Sequence, residues 1–247
     1  MMPKRGLSQE ALKAFACVTM LLDHIGVVIV LDCFYRAAGV EKALLAETYN
    51  TLRTIGRLAF PIFCFLLVEG LSYTKNPKRY GQRLLIGALL SEIPYDLAFY
   101  GNINWTESSV MITLLLGFVM LMTMKKASRQ WLKLVLIIPF ALLAEILGTD
   151  YGYKGIMVIA AFAFTREFPG KHLWQALLLW LVFSTDHLMM FNWLNGFRIT
   201  VQECAVLAVV PIALYGGRKA TKSKVLQWGF YLFYPVHLLV LYLLQSI

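Results

Sequence analysis

Charged residues are scarce in this sequence. They make up 15% of its 247 residues, whereas a soluble domain has roughly 25%. Hydrophobic residues make up 59% of the chain, and its mean hydropathy is +0.66. Apolar runs close to the ~20 residues that cross a bilayer recur along the whole length, which leaves no room for a separate soluble domain. We expect one transmembrane domain that covers residues 1–247.

Cysteine motifs and common hydrolase motifs are also missing. The four cysteines are scattered and form no Cys-x-x-Cys pair, which argues against a disulfide framework and against a thiolate metal site. We expect no metal cofactor. The patterns His-Glu-x-x-His and Gly-x-Ser-x-Gly do not occur either, so the usual signatures of zinc proteases and α/β-hydrolases are absent from the sequence. No small-residue cleavage pattern follows the first apolar run, which we interpret as a retained helix.

Positive charge is abundant by comparison, with 23 lysines and arginines against 14 acidic residues and a net charge of +9. Most of these cations lie in five segments between apolar runs: MMPKRG, KNPKRYGQR, KKASRQWLK, TREFPGKH and GGRKATKSK. Together with Lys13, these segments hold 17 of the 23 cations. Because cytoplasmic loops of membrane proteins are enriched in Lys and Arg, we place this side and the N-terminus in the cytoplasm. Charge distributed in this way predicts membrane topology and contact with lipids, and we expect no nucleic-acid partner.

The apolar pattern predicts an all-α fold, a polytopic transmembrane helical bundle of about nine spans. Their approximate ranges are 11–31, 56–73, 82–99, 108–124, 131–148, 152–168, 173–191, 198–215 and 227–245. With an odd number of spans, the C-terminus lies outside. The longest outer loop is 32–55, where VEKALLAETYNTL has the apolar spacing of a short helix on the membrane surface.

Two ionisable residues of the first span share one helical face. Lys13 and His24 are eleven residues apart, and eleven steps of 100° return to within about 20° of the starting direction, roughly 16 Å further along the helix. Arg79 and Arg83 lie one turn apart at the inner end of the third span, with Tyr80 between them. Lys13, Arg79 and Arg83 would therefore form a phosphate-binding group of cations below an intramembrane histidine. Each cation alone is also typical of an ordinary span end.

Other ionisable residues in the apolar runs need partners, because such groups are costly to place in a bilayer. Asp23 points about 100° away from His24, so we predict that it pairs with Arg57 at the outer end of span two. Glu69 lies near the inner end of the same span, where pairing with the basic cluster is expected. The secondary candidates for the site are Glu69, Glu92, Asp186 and His237.

Acyl transfer from coenzyme A would use all of these groups. The nucleotide phosphates would contact the cations, the pantetheine arm would extend along the helices, and the thioester would reach His24. There His24 acts as a general base toward an amine or hydroxyl, which typically contributes roughly 10²- to 10⁴-fold in rate. An acyl-histidine intermediate is the alternative mechanism. A proton-coupled transporter of a small polar solute is the alternative function, since carriers also contain buried carboxylates and histidines.

Three segments resemble the TraX family of conjugal-transfer membrane proteins: LKAFACVTMLLDHIG, RTIGRLAFPIFCFLLVEGLSYTKNPKRYGQRLL and IPYDL. The elements Asp-His, Gly-Arg-x-Ala-Phe-Pro, Glu-Gly, Thr-x-Asn and Tyr-x-x-Arg-Leu follow one another in the family order. TraX-like proteins include the enzyme that acetylates the N-terminus of F-pilin. The resemblance therefore implies a multi-pass protein of the bacterial inner membrane that uses acetyl-CoA as co-substrate and acts on an acceptor outside the cytoplasm.

The TraX family also resembles the acyltransferase 3 enzymes, which pass acyl groups across a membrane. Lys13-x10-His24 is similar to their Arg/Lys-x10-His motif, whose histidine is held to be catalytic. Arg79 and Arg83 resemble their basic pair near the acyl-CoA entrance, and FYPVH resembles a late aromatic and histidine pattern. The predicted catalytic group is His24, Asp23 and Arg57, and the predicted acetyl-CoA ligands are Lys13, Arg79, Arg83 and Tyr80. The acceptor is either a peptide amine or a glycan hydroxyl or amine.

Overall fold

The computed structural model describes residues 6–184, 201–217 and 223–246. Within these residues the regular secondary structure is helical, and extended pairing is limited to two isolated bridges, Leu7 with Tyr215 and Ser108 with Thr149. The all-α prediction is therefore confirmed for this part of the chain. The candidate site residue Asp186 lies outside the described residues.

The α-helices are numbered in chain order. They are α1 Gln9–Ile25, α2 Leu31–Arg36, α3 Gly39–Gly56, α4 Ala59–Tyr73, α5 Pro77–Tyr100, α6 Val110–Met124, α7 Gln130–Val135, α8 Ile137–Ile146, α9 Gly152–Thr165, α10 Lys171–Phe183, α11 Val209–Ala213 and α12 Lys224–Gln245. A π-helical segment, Gly26–Val30, joins α1 to α2. A 3-10 helix, Glu203–Ala208, precedes α11.

Three helices of the described residues are long and apolar enough to cross a membrane. They cover Gln9–Arg36, Gly39–Tyr73 and Val225–Gln245. The first, second and last predicted spans lie inside these helices. The remaining predicted spans fall on shorter or more polar helices, or extend beyond the described residues.

The second of these helices begins much earlier than predicted. The outer loop predicted over 32–55 is mostly helical, because α2 continues to Arg36 and α3 begins at Gly39 and packs against α1. The segment VEKALLAETYNTL is helical as predicted. It forms the first part of a longer helical unit that continues into α4 after a short turn at residues 57–58. This arrangement brings the end of α3 against α1.

The span predicted over 131–148 is interrupted in the structure. Its two halves, α7 and α8, are separated by Leu136. Pro139 has no N–H to donate to the carbonyl of Val135, and its ring crowds that carbonyl, which interrupts a helix at this point. The span predicted over 198–215 consists, where it is described, of the 3-10 helix and α11.

α4 is the most buried helix of the candidate site. Eleven of its fifteen residues are buried, and it packs against α1, α6 and α9. α12 packs along α5 and also contacts α1. Residues of α1, α4, α5 and α12 together line two cavities, and Lys13, His24 and Arg83 of the candidate site are among them.

Candidate functional site

Two adjoining cavities lie between α1, α4, α5 and α12. The larger, about 450 Å³, is lined by Lys13 and Arg83 and is named the basic cavity. The smaller, about 270 Å³, is lined by His24 and is named the histidine cavity. Both cavities are lined by the same four apolar residues, Phe63, Met111, Leu114 and Phe230. The cations and the histidine are therefore on either side of a common apolar wall.

Helix α1 places two polar side chains in each cavity: Gln9 and Lys13 in the basic cavity, and Asp23 and His24 in the histidine cavity. Ser8 caps this helix, because its side-chain oxygen accepts a hydrogen bond from the N–H of Ala11 at 3.1 Å. The helix is consequently regular from Gln9 onward. Lys13 and His24 both project from the face of α1 that lines the cavities, as the helical period predicts.

His24 contacts a second histidine, His237 of α12. Nδ1 of His24 lies 2.6 Å from Nε2 of His237, and the planes of the two rings differ by only 3°. Nδ1 of His237 lies 2.6 Å from the backbone oxygen of Phe233, one turn earlier in α12. The rings of Phe99 and Tyr234 lie edge-on to His24, at centre distances of 5.4 and 5.9 Å. The sequence indicated His237 only as a secondary candidate, whereas the structure makes it a direct partner of His24.

Asp23 pairs with two arginines at the end of α3. Nη2 of Arg57 lies 2.9 Å from Oδ1 of Asp23, and Nη1 of Arg53 lies 2.6 Å from Oδ2. The ion pair with Arg57 is the predicted one, and the contribution of Arg53 was missed. The signal for Arg53 was present in the sequence, because residues four apart share a helical face. The cluster of Asp23, Arg53 and Arg57 has one more positive than negative charge, at the wall of the histidine cavity.

The guanidinium of Arg57 also donates to residues outside α1 and α3. Its Nη1 donates to Oε1 of Gln202 at 2.8 Å and to the hydroxyl of Tyr151 at 3.4 Å. Tyr151 has a φ of 72°, which is rare for a bulky residue, and its ring stacks on Phe60 at 3.8 Å. Tyr151 and Asp150 line the histidine cavity as well. The sequence patterns did not indicate Asp150 and Tyr151, because residues in loops follow no helical period.

Lys13, Tyr80 and Arg83, three of the predicted acetyl-CoA ligands, line the basic cavity. Nζ of Lys13 lies 5.4 Å from the ring centre of Phe230. The guanidinium of Arg83 lies 5.9 Å from the ring centres of both Tyr80 and Tyr231. Its Nε atom is buried and has no hydrogen-bond partner within the part of the chain that the structure describes. A buried donor without a partner is unfavourable, so a ligand that supplies an oxygen there would be stabilised.

Arg79 lies outside the wall of the basic cavity, and its side chain is exposed. Helix α5 begins at Pro77, with Asn76 as N-cap, whose Oδ1 accepts a hydrogen bond from the N–H of Arg79 at 3.0 Å. Arg79 is therefore in the first turn, and Arg83 is one turn further into the bundle. Of the three cations predicted to act together, the cavity brings together Lys13 and Arg83.

Glu69 lines the basic cavity, but its ion-pair partner is Arg166 and not one of the predicted cations, Lys13, Arg79 and Arg83. Its Oε1 accepts a hydrogen bond from Nε of Arg166, just after α9, at 2.7 Å. Arg166 also pairs with Glu167, and its guanidinium lies 5.3 Å from the ring centre of Tyr73. The packing of α9 against α4 brings Arg166 to Glu69. Glu69 therefore joins α4 to α9 at the edge of the cavity.

Glu92 is not part of either cavity wall. It is half-buried in α5, and its Oε1 accepts a hydrogen bond from the N–H of Ser109 at 3.2 Å. Ser109 is the N-cap residue of α6. A carboxylate at this position satisfies an end group of the helix and complements its dipole. Glu92 therefore positions the beginning of α6, and this secondary candidate lies outside both cavities.

The sequence matches the TraX protein family over residues 8–245. The chain belongs to the TraX family. A relative of this TraX-family chain is named "Probable fimbrial assembly protein FimC, serogroup H1" and comes from Dichelobacter nodosus. The two are 26% identical over 245 residues, which cover 93% of this chain and 92% of the relative. No solved structure matches the chain. Family membership and the long apolar helices of the described residues indicate a membrane-associated bacterial protein.

Proposed function

We propose that this TraX-family protein is an integral membrane acetyltransferase. It moves an acetyl group from cytoplasmic acetyl-CoA to an amine or hydroxyl of a peptide or glycan acceptor outside the cytoplasm. The observation that supports this proposal is that the two cavities lie side by side and share four lining residues. Lys13 and Arg83 line one, His24 lines the other, and an apolar wall is common to both. A ligand with phosphates at one end and a thioester at the other matches this order of groups.

The basic cavity suits the nucleotide end of acetyl-CoA. Charge-assisted hydrogen bonds from Lys and Arg to phosphate are among the strongest in proteins. Arg83 contributes a buried Nε atom, and the ring centres of Tyr80 and Tyr231 each lie 5.9 Å from its guanidinium. The volume of the basic cavity, about 450 Å³, is within the roughly 300–1,000 Å³ that is typical of ligand sites. The pantetheine arm would contact the shared apolar wall on its way to His24.

The histidine cavity supplies the groups for acyl transfer. As the acceptor attacks the thioester carbon, Nε2 of His24 takes the proton of its amine or hydroxyl. A C–N or C–O bond forms, the C–S bond breaks, and the leaving thiolate of coenzyme A takes the proton from His24. General-base assistance of this kind contributes roughly 10²- to 10⁴-fold in rate. The guanidinium groups of Arg53 and Arg57, which line the same cavity, would stabilise the developing oxyanion.

The proposed protein is polytopic in the bacterial inner membrane, with about nine spans and a cytoplasmic N-terminus. Two features support this topology: the alternation of basic and less basic connections, and the long apolar helices. In this orientation Lys13 is at the cytoplasmic end of α1 and His24 is roughly 16 Å above it. Acetyl-CoA would then approach from the cytoplasm, and the acceptor would approach His24 from outside.

Thermal stabilisation tests the coenzyme A site. We expect acetyl-CoA and coenzyme A to raise the Tm of the full chain in detergent, because a ligand at 100 times its Kd stabilises by about 2.7 kcal/mol. GTP serves as a nucleotide control and is expected to leave the Tm unchanged. An equal response to GTP, or no response to acetyl-CoA, would contradict the proposed site.

The acceptor can be identified by mass spectrometry of peptides and glycans from cells with and without the protein. The relative's name, a probable fimbrial assembly protein, makes the subunits of surface filaments the first peptides to inspect. We expect an acetyl group that is present in the parent strain and absent both from the deletion strain and from a strain that carries His24→Ala. Identical acetylation in all three strains would contradict the proposed activity.

A proton-coupled transporter of a small polar solute is the second candidate. It is favoured by the buried contact between His24 and His237 and by the buried carboxylate of Asp23, since such groups also carry protons in transporters. Proteoliposomes distinguish the two functions. Proton-driven solute uptake without a response to acetyl-CoA would support the carrier, whereas release of thiol from acetyl-CoA without solute uptake would support the enzyme.

A further inference from the structure

The tautomer of His237 is determined by a backbone carbonyl. Its Nδ1 atom lies 2.6 Å from the oxygen of Phe233. A carbonyl oxygen can only accept a hydrogen bond, so Nδ1 of His237 carries the proton. The ring of Phe233 lies against the imidazole, with 4.8 Å between the ring centres and 19° between their planes. Helix α12 therefore determines both the orientation and the tautomer of His237.

The proton position on His24 follows from that of His237. A neutral imidazole with a proton on Nδ1 has its lone pair on Nε2. This Nε2 atom of His237 lies 2.6 Å from Nδ1 of His24, so the hydrogen between the two atoms belongs to His24. His24 is then neutral, with its proton on Nδ1 and its lone pair on Nε2.

The reverse arrangement would require a charged His237. If Nδ1 of His24 were the acceptor, His237 would donate from both ring nitrogens and would be an imidazolium ion. Both histidines are buried, and among the described residues neither has a carboxylate at ion-pair distance. Because a buried charge without a counter-ion is costly, the neutral pair is favoured.

We propose that His237 is a positioning residue for His24. A chain of hydrogen bonds from His24 through His237 to the carbonyl of Phe233 holds His24 in the tautomer whose Nε2 lone pair is available to the histidine cavity. Nε2 of His24 has no hydrogen-bond partner in residues 6–184, 201–217 and 223–246. The use of this lone pair as a base rests on the proposed acetyl transfer, whereas the hydrogen-bond chain does not.

During transfer the chain of hydrogen bonds would remain intact. When Nε2 of His24 takes up the acceptor proton, the ring becomes an imidazolium ion that still donates from Nδ1 to His237. The lone pair of His237 stabilises that N–H, and the carbonyl of Phe233 keeps His237 in the accepting tautomer. In serine proteases a carboxylate holds the catalytic histidine in this way. In this protein a second imidazole occupies that position.

Nitrogen-15 NMR of the full chain in lipid bilayers measures the tautomer directly. The chain has four histidines, so labelled histidine and a His24→Gln variant identify the signals of His24. We expect a protonated Nδ1 and an unprotonated Nε2 on His24 at neutral pH. In His237→Phe, which keeps a ring but removes the acceptor, we expect this single tautomer to be lost. Protonation of His24 on Nε2 in the parent, or an unchanged tautomer in His237→Phe, would overturn the proposal.

Thiol release from acetyl-CoA measures the kinetic consequence. We expect His237→Phe to lower kcat about 100-fold with little change in KM for acetyl-CoA, because a misplaced base slows the chemical step. His237→Gln places an amide oxygen near the position of Nε2 and is expected to recover most of the loss. An equal loss of kcat in both variants would indicate a packing role for His237 and would overturn the proposal.

His172→Gln is the matched control for these substitutions. His172 lies on α10, where its Nδ1 contacts Oε1 of Gln175 at 3.0 Å, and it lines neither cavity. We expect parental kcat, KM and His24 tautomer in this variant. A loss of the His24 tautomer in His172→Gln as large as in His237→Phe would show that the tautomer does not depend specifically on the contact with His237, and would overturn the proposal.

The NMR and kinetic results also separate this inference from the proposed function. An Nδ1-protonated His24 in a protein without acetyl-CoA turnover would contradict acetyl transfer and support the hydrogen-bond chain. Full turnover by a protein whose His24 is protonated on Nε2 would contradict the hydrogen-bond chain and support acetyl transfer.

Discussion

Gly56 lies directly against Asp23, so that a Cβ atom on this glycine would overlap the Asp23 side chain. The glycine is located between Arg53 and Arg57, the two arginines that bond Asp23. Because Gly56 has no side chain, α1 and the end of α3 approach closely enough for two guanidinium groups to reach one carboxylate.

We expect Gly56→Ala to destabilise the protein. An added methyl group at this contact must displace Asp23 or separate the helices, and overpacking of this kind costs about 1–3 kcal/mol. Gly229→Ala is the control, because a Cβ there meets nothing within 4 Å and alanine favours the helix. A lower Tm for Gly56→Ala, with an unchanged or higher Tm for Gly229→Ala, is the expected result. A parental Tm for Gly56→Ala would contradict the close approach.

Removal of the carboxylate of Asp23 should be more costly than removal of a carboxylate that is paired at the surface. Asp23→Ala leaves Arg53 and the buried Arg57 without their counter-ion, and breaking a buried pair typically costs about 3–5 kcal/mol. Asp32→Ala is the control, because Asp32 pairs with the exposed side chain of Arg36, and such pairs contribute less than about 1 kcal/mol. Thermal unfolding in detergent measures both effects, and equal shifts in Tm would contradict this difference.

Arg83 and Arg79 should have different effects on acetyl-CoA binding although they lie on one helix. Arg83→Gln removes a charged donor from the basic cavity, which costs about 1.5–3 kcal/mol, or a rise in KM for acetyl-CoA of roughly 10- to 100-fold. Arg79→Gln changes an exposed residue outside the cavity wall and should leave KM near the parental value. Steady-state thiol release measures both constants. A larger rise in KM for Arg79→Gln would contradict the assignment of Arg83.

His24→Ala should strongly lower acetyl-CoA turnover and leave nucleotide binding in place. The histidine lines the smaller cavity, whereas Lys13 and Arg83 line the larger one. Loss of a general base lowers the rate by roughly 10²- to 10⁴-fold, while stabilisation by coenzyme A should persist. His172→Ala is the matched control and should keep the parental rate. Equal turnover by His24→Ala and the parent would remove the catalytic role proposed for His24.

Much of the site could be predicted from local patterns. The shared face of Lys13 and His24 follows from the helical period of α1, and the pairing of Asp23 with Arg57 follows from the need of a buried carboxylate for a cation. Arg53 could have been added by the same reasoning, since it is four residues before Arg57.

Other parts of the site depended on where helices begin and which helices meet. Arg79 is exposed because α5 begins at Pro77, which places it in the first turn. Glu69 pairs with Arg166 because α9 packs against α4. Glu92 accepts from Ser109 at the start of α6. Helix ends are poorly determined by sequence patterns, and helix neighbours are not determined by them at all.

The sequence by itself determined the helical class, the apolar segments and the common face of Lys13 and His24, because hydrophobic runs and the helical period act over neighbouring residues. Only the tertiary structure decided that His237 meets His24, 213 residues away, and that Arg83 rather than Arg79 lines the basic cavity. These contacts depend on how α1, α5 and α12 pack around α4. That packing is a property of the whole chain, and no local pattern of residues contains it.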